Sequence, residues 1–268
     1  MTTPSFSVYG LATPLLRAGD DIAAHLLASV KRSAFRGFET GDVVVVAESA
    51  LATTEGQIVR LADVEPSAEA LRLAEEYQMD PRHVEVVLRE SDRVVGGIPG
   101  FLLCMKNGTL LPNAGIDASN APEGSLVLLP LDPDASAGRI RAAIAERSGA
   151  DVGVIVIDSR THAMRLGCSG VAIGCSGIPS VVDERGKRDL FGRELEVTKR
   201  AVADCIASAA ELVMGEAGEC VPAAVVRGIG LPVGDYAGVA TIDASECLFM
   251  GVALHADPSL LVKGDRKS

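Results

Sequence analysis

Residues 152–159 read Val-Gly-Val-Ile-Val-Ile-Asp-Ser, a β-branched run that ends in a carboxylate and a hydroxyl. Such a run is a buried strand, and an acid at its carboxyl end is delivered to a crevice at the edge of the sheet. Runs of the same kind stand at Val43 to Val46, Leu126 to Leu129 and Ala223 to Val226, bounded by Gly, Pro or Asp. Helical periods lie between them. Asp20 and Asp21 precede one through Ile22, Leu26, Leu27 and Val30, and Asp134 is the expected cap of one through Ile140, Ile144 and Ala145. The longest helix is expected from about Leu190 to Met214, with Leu195, Val202, Ile206, Ala209 and Val213 on its apolar face and Gly215 as its stop. Strands interleaved with helices, and no Gly/Ser-rich linker, predict a mixed α+β fold over residues 1–268 as a single unit.

Composition narrows the function. The chain has 268 residues, 48% hydrophobic and 23% charged, enough to bury a large core. A net charge of −11 argues against nucleic acid as a partner, because phosphate backbones demand clustered Lys and Arg. An anionic substrate would need a local basic pocket or bound cations. No N-terminal run resembles a signal peptide and no apolar run approaches the roughly 18 residues of a membrane span, so a cytoplasmic protein without membrane contact is expected. The six cysteines include no CxxC pair, which predicts reduced thiols, with Cys168 and Cys175 as packing groups. Gly-Cys-Ser-Gly occurs at 167–170 and again at 174–177, a spacing too short for a solenoid repeat.

Three acids far apart in sequence are candidates for a shared metal. Asp117 lies in Asn-Ala-Gly-Ile-Asp-Ala-Ser-Asn at 113–120, Asp158 follows the strand, and Glu216 sits in Met-Gly-Glu-Ala-Gly at 214–218. Asp158 with Ser159 is a hard-oxygen pair suited to Mg²⁺ or Mn²⁺, and the glycines around Glu216 leave backbone amides open to phosphate oxygens. Plainer readings stand beside these. Asp117 to Asn120 is also ordinary Asx-turn chemistry, Glu216 could face solvent after a helix, and Asp158 could cap the next element.

At these residues the chain resembles the coenzyme F-420-0:L-glutamate ligases (coenzyme F-420-0:γ-glutamyl ligases). The likeness runs through Gly10-Leu11, Pro14-Leu15-Leu16, Gly19-Asp20-Asp21, Glu55-Gly56, Asn113 to Asn120, Glu123-Gly124-Ser125 and Pro130 to Asp134. It continues through Asp158, Val171 to Gly174, Gly177, Asp189 to Thr198 and Leu212 to Arg227, covering about residues 7–230 in order and leaving the tail from Leu231 unmatched. The resemblance implies the family's own α+β fold as an intertwined homodimer. It also implies GTP-dependent amide formation, with ATP left open: a carboxylate acceptor becomes an acyl phosphate, and the amino group of L-glutamate displaces phosphate.

Family metal ligands fall on Asp117, Asp158, Ser159 and Glu216, and catalytic roles on Asp117, Asp158 and Arg165. Nucleotide contacts fall on Thr13, Pro14, Leu15, Leu16, Glu48, Ser49, Thr53, Asn120, Met214, Gly215, Glu216, Ala217, Gly218, Glu219, Cys220 and Val221. No GxxxxGK[ST] is present, so the nucleotide would not sit on a P-loop. The alternative is a ligase-fold protein that binds nucleotide or deazaflavin without catalysis.

The chain departs from the family pattern at several places. Ala52-Thr53-Thr54-Glu55-Gly56 stands where the family usually has Ser-Lys before an acidic-glycine pair, so a phosphate-facing cation is missing. After Asp158 the usual Thr, Gly, Arg and aromatic residues become Ser159, Thr161, His162 and Met164, and Asn107-Gly108 stands where a histidine precedes glycine. A remodelled acceptor pocket is the expectation. His162 is either a base or phosphate contact or a surface residue. Arg185, Lys187 and Arg188 either receive an anion or are solvated, and Arg193 with Glu194 and Glu196 is a candidate ion network.

Overall fold

The computed structural model describes residues 4–253 apart from positions 34 and 36. Its strands are β1 (Ser7–Leu11), β2 (Val43–Ala47), β3 (Ile58–Arg60), β4 (Arg93–Ile98), β5 (Phe101–Lys106), β6 (Thr109–Pro112), β7 (Ser125–Val127), β8 (Gly153–Thr161), β9 (Cys168–Ser176), β10 (Val182–Asp183), β11 (Lys199–Arg200) and β12 (Ala223–Arg227). The helices are α1 (Ile22–Arg32), α2 (Glu48–Thr54), α3 (Ala68–Tyr77), α4 (Pro81–Glu90), α5 (Pro133–Ser148), α6 (Val202–Met214) and α7 (Leu248–Ala253). The expected mixed α+β architecture is what the chain forms. The part of the unmatched tail beyond residue 253 lies outside the described residues.

The central sheet has the order β1-β12-β2-β8-β9, with β2 and β8 parallel and the other pairs antiparallel. Val43 to Val46, Val154 to Ile157 and Ala223 to Val226 on its inner strands are uninterrupted apolar runs because both faces are covered there. Val44, Val46, Val154, Val156 and Val225 face one core with Leu26 and Val30 of α1 and Ile140 and Ile144 of α5. Val43, Val45, Ile155, Ala224 and Val226 face the other, against Ile206, Ala207, Ala210 and Met214 of α6. A separate core joins α3 and α4 to the β4-β5-β6 sheet through Leu73, Val84, Val87, Leu102 and Cys104. No helix among the described residues is long and apolar enough to cross a membrane.

Several local expectations need correction. Asp21 caps α1, accepting from Ala24 N at 3.0 Å, but the cap of α5 is Asp132, which accepts from Ala135 N at 2.9 Å. Pro133 occupies the first helical position, where its missing N–H costs nothing. Asp134 is then inside the helix, and its carboxylate accepts instead from Cys175 N at 2.7 Å and Val239 N at 3.1 Å, tying β9 and the C-terminal segment to α5. The long helix begins at Val202, not Leu190. Residues 183–200 form an exposed arm closed by β10 and β11, in which Asp189 accepts from Phe191 N and Arg193 N. Leu195, expected on the helix's apolar face, donates its N–H to Lys187 O within that arm. Val202 and Ile206 are buried as expected, whereas Val213 is 40% exposed and Ala203, Ala207, Ala210 and Met214 complete the face. β7 ends at Val127, although Leu128 N still donates to Gln57 O.

β8 runs three residues beyond Asp158, so this acid lies within the strand and not at its end. The register with β9 shifts between Val156, paired with Gly174, and Ile157, paired with Ala172. A bulge of this kind re-aims the side chains that follow it, and Asp158, Ser159 and Arg160 are the residues that follow.

Candidate active site

A cleft of about 400 Å³ opens where β8, the segment after β6, the start of α2 and the loop after α6 converge. Thr13 to Leu16, Glu48, Ser49, Thr53, Asn120 and Met214 to Val221 all line it, as do Asp117, Asp158 and Ser159. Arg165 does not. It is exposed in the β8–β9 turn, its N–H bound to His162 O at 3.0 Å, because the ribbon carries the turn away from the cleft.

Each acid is held by a different device. Asp117 exchanges backbone hydrogen bonds with Val127, its N–H donating at 2.9 Å and its carbonyl accepting at 2.8 Å. The approach to it is a left-handed run, Asn113 (φ 48), Ala114 (φ 54) and Gly115 (φ 73). Gly115 is required: a Cβ there would stand 2.6 Å from Leu129 Cδ1. The buried Asn113 pins the run by accepting from Leu102 N at 2.8 Å through Oδ1. Asp117 also accepts from Ser119 N and Ser119 Oγ, both at 2.7 Å, so the Asx turn and the place in the cleft coexist. Glu216 is exposed just past the end of α6, where Gly215 N closes the helix on Glu211 O. In the same loop Ala217 N donates to Glu219 Oε2 at 2.8 Å, a carboxylate on an amide of the kind that binds phosphate oxygens, and Thr13 N donates to Cys220 O at 3.0 Å.

Asp158 caps no element among the described residues. Its Oδ2 accepts from Arg160 Nε at 2.8 Å, two residues along the strand and therefore on the same face. Burial pushes the Asp158 carboxyl above its ordinary range, the guanidinium opposes this, and Asp117 and Glu216 add to the rise. Glu48, at the start of α2, is pushed up to about 8, chiefly by burial and then by Asp158, with Asp117 adding. Glu211 is pushed up to about 6 by burial and by Glu216 beside it. The lining thus carries Glu48, Asp117, Asp158, Glu211, Glu216 and Glu219 against one cation, Arg160, among the described residues.

Arg160 and Glu211 escaped the sequence reading. The signal for Arg160 was its two-residue spacing from Asp158 on a strand. Glu211 sits on the last turn of a helix otherwise read for its apolar face. Other expectations resolve simply. Arg185 pairs with Asp183, Lys187 with Glu184, and Arg193 joins no ion pair among the described residues. Cys175 is buried, but Cys168, read as a packing group, is exposed at the first position of β9, where the ribbon outruns the helical cover. His162 is exposed, its ring 5.6 Å from that of Phe249 at 87°, so the unmatched C-terminal segment reaches the β8–β9 turn.

The family profile described as F420-0:Gamma-glutamyl ligase matches residues 10–228. A Coenzyme F420:L-glutamate ligase of Methanopyrus kandleri is 45% identical over 215 residues, 80% of this chain and 83% of that protein. One from Archaeoglobus fulgidus is 45% identical over 231 residues, 86% of this chain and 90% of that protein. A third, from Methanothermobacter thermautotrophicus, is 42% identical over 216 residues, 80% of this chain and 85% of that protein. The match spans the strands, loops and helix that build the cleft, and on these grounds the chain belongs to the F420-0:gamma-glutamyl ligase family.

Proposed function

We propose that this protein is a nucleotide- and divalent-metal-dependent ligase that adds L-glutamate through an amide bond to the F-420 precursor or a related carboxylate acceptor. The observation that carries the reading is the crowding of acids in the cleft: six carboxyl groups, of which Glu48 keeps its proton up to about pH 8, and one guanidinium line the space shared by the residues read as nucleotide contacts. A triphosphate is excluded from such a field unless cations enter with it. The donors fit hard cations, since Asp117, Asp158, Glu216 and Ser159 offer oxygen only. Mg²⁺ or Mn²⁺ held there would screen phosphate oxygens from the carboxylates and stabilise charge on the transferring group.

The acceptor carboxylate takes the γ-phosphoryl of GTP, releasing GDP. The glutamate amine then attacks the acyl phosphate, expelling phosphate and losing one proton to solvent. Arg160 is the chain's own cation for an anionic group in the cleft, and its bond to Asp158 keeps it aimed there. The loop Met214 to Val221 supplies backbone amides, among them the Ala217 N–H that Glu219 now engages.

The protein is further read as a homodimer of soluble subunits. Leu190, Phe191 and Val197 on the 183–200 arm are 100%, 84% and 84% exposed, and Leu212 on α6 is 85% exposed. That much uncovered apolar surface favours a partner copy. Light scattering at micromolar concentration should return twice the chain mass, and a well-folded monomer refutes the assembly.

The deciding experiment incubates the full chain with GTP or ATP, Mn²⁺, glutamate and candidate acceptors, with mass spectrometry as the readout. A glutamylated product and one nucleoside diphosphate per bond support the ligase. Thr53, in the cleft where the family usually carries Lys, favours the second reading, binding without catalysis. Tight nucleotide binding with neither product nor diphosphate would establish that reading and reject the first.

A further inference from the structure

Asp158, Ser159 and Arg160 stand on a part of β8 that has left the central sheet. β2 pairs with β8 as far as Ala47 opposite Ile157, whereas β8 and β9 stay paired from Asp158 and Val171 out to Thr161 and Cys168. A two-stranded ribbon is marginal without cover. α6 supports it on the β9 side: Gly170 approaches the helix so closely that a Cβ would stand 2.7 Å from Ala207 O, and Ser208 Oγ donates to Gly170 O at 2.9 Å. At the turn the support comes from the far end of the chain. After β12, Leu231, Val233 and Val239 pack against the α6-side core, and Gly234 N donates to Gly177 O at 2.9 Å. Ser180 Oγ donates to Gly238 O at 3.0 Å and accepts from Ala240 N at 3.2 Å, while Val239 N donates to Asp134 Oδ1. Gly238 is required there, since a Cβ would fall 2.0 Å from the Asp134 carboxyl. The segment then passes the β5–β6 turn, where a Cβ on Gly108 would stand 3.8 Å from Thr241 Oγ1, and reaches α7. Met250 is buried, and the Phe249 ring meets that of His162, the first residue after β8, at 5.6 Å and 87°.

We propose that the C-terminal segment is a strap that positions the site: Phe249, packed edge to face on His162, holds the turn of the β8–β9 ribbon and so fixes Asp158, Ser159 and Arg160 opposite the elements that bear Asp117 and Glu216. His162 and Phe249 are positioning residues, outside the lining of the cleft. His162 thus acts neither as a base nor as a phosphate contact. The leverage is geometric. Groups that bind a cation or a phosphate must be held to within about 0.5 Å, and a ribbon anchored only at its root swings most at the residues beyond the sheet. An aromatic pair at this geometry shifts an equilibrium by roughly two- to tenfold, enough to decide how often the ribbon is in place. The consequence for binding rests on reading the cleft as a site for nucleotide and cation; the strap itself does not.

The test combines amide hydrogen exchange of the full chain, read by mass spectrometry without ligand, with calorimetric titration of GTP in the presence of Mn²⁺. In Phe249→Ala, amides of residues 158–171 should exchange roughly two- to tenfold faster while those of residues 153–156 and of β12 keep their rates. His162→Ala should match it, and the double variant should be no faster than either, because both remove one contact. Phe249→Tyr keeps the ring and should keep the rates. Affinity for GTP with Mn²⁺ should fall by a similar factor in Phe249→Ala and return in Phe249→Tyr, which a merely structural tail would not produce. Unchanged exchange in Phe249→Ala, or faster exchange spread over the whole central sheet, overturns the strap. So does faster exchange with undiminished affinity. A loss of affinity in His162→Ala alone would make His162 a direct contact and refute the positioning role. An unaltered protein that binds no GTP with Mn²⁺ refutes the reading of the cleft, and the exchange rates then decide the strap by themselves.

Discussion

Arg160 Nε donates to Asp158 Oδ2 at 2.8 Å, with the two side chains only 12% and 14% exposed. The pair is the cleft's internal charge balance, since Asp117 and Glu216 raise the cost of ionising Asp158, and Asp158 and Asp117 raise that of Glu48. Removing the guanidinium leaves a partly buried carboxylate among like charges. Arg160→Met should therefore lower metal-free stability by about 1–3 kcal/mol, and Mn²⁺ should restore much of the loss. Urea midpoints with and without Mn²⁺ measure both; an unchanged metal-free midpoint means that the pair offsets nothing.

Asp158→Asn keeps the size of the side chain and removes a charged oxygen donor. Nucleotide turnover should fall by about 100-fold or more, with the melting temperature preserved, because Asn can still accept from Arg160. Turnover equal to that of the unaltered protein rejects a role for Asp158 in the chemistry.

Glu48 makes the metal-free protein sensitive to alkali. Its carboxyl rises from the ordinary 4.5 to about 8, chiefly through burial and then through Asp158. Between those values the folded state holds a proton that the unfolded state has lost, so raising the pH drains stability across that window. Metal-free melting temperatures should fall from about pH 4.5 to about pH 8, and Glu48→Gln should flatten the slope. Divalent cation affinity should climb over the same range as the proton is displaced. A slope identical in Glu48→Gln would show that another group carries it.

Glu85 acts in the opposite direction. The Ser67 hydroxyl and backbone N–H, followed by Arg89, hold its carboxyl down to about 2. Its contribution is present above the ordinary 4.5 and is lost as pH falls from there towards 2. Glu85→Gln should be less stable than the unaltered protein at neutral pH, and the two should converge in acid. Melting curves recorded along an acid series decide it, with a gap that persists at the acid end counting against the assignment.

Thr53 lines the cleft from α2, and a lysine there would add a second cation beside Arg160. Thr53→Lys should tighten GTP binding by roughly tenfold, the scale of one charge-assisted hydrogen bond to phosphate. Calorimetric titration without acceptor isolates that effect from catalysis. Unchanged affinity would mark the residue's departure from the family pattern as neutral.

What was legible in the sequence is what local patterns encode. Val43 to Val46, Ala223 to Val226 and the run before Asp158 are uninterrupted β-branched segments, and a strand covered on both faces needs nothing else to declare itself. Asp21 and Gly215 marked helix ends because a cap works within one turn. Family likeness extended over the loops, and so every site residue it named except Arg165 lines the cleft. The misreadings arose where two local signals competed. Asp132 and Asp134 both precede the same apolar period, and only the call of Cys175 and Val239 on Asp134 leaves Asp132 to cap α5. Leu190 to Leu195 carries apolar residues at helical spacing, but Asp189 and the β10–β11 pairing hold it in an arm.

The charge relations of the site belong to the tertiary structure. That Asp117 raises the proton affinity of both Glu48 and Asp158, that Arg165 stands outside while Arg160 stands inside, and that Cys168 meets Glu211 all depend on distances across separate elements. A bulge between Val156 and Ile157 and the close approach of Gly170 to α6 set those distances. Sequence periodicity reports which face a side chain takes on its own element. Coulomb energy and desolvation depend on what the neighbouring elements place opposite it, and that arrangement exists only once the chain has packed.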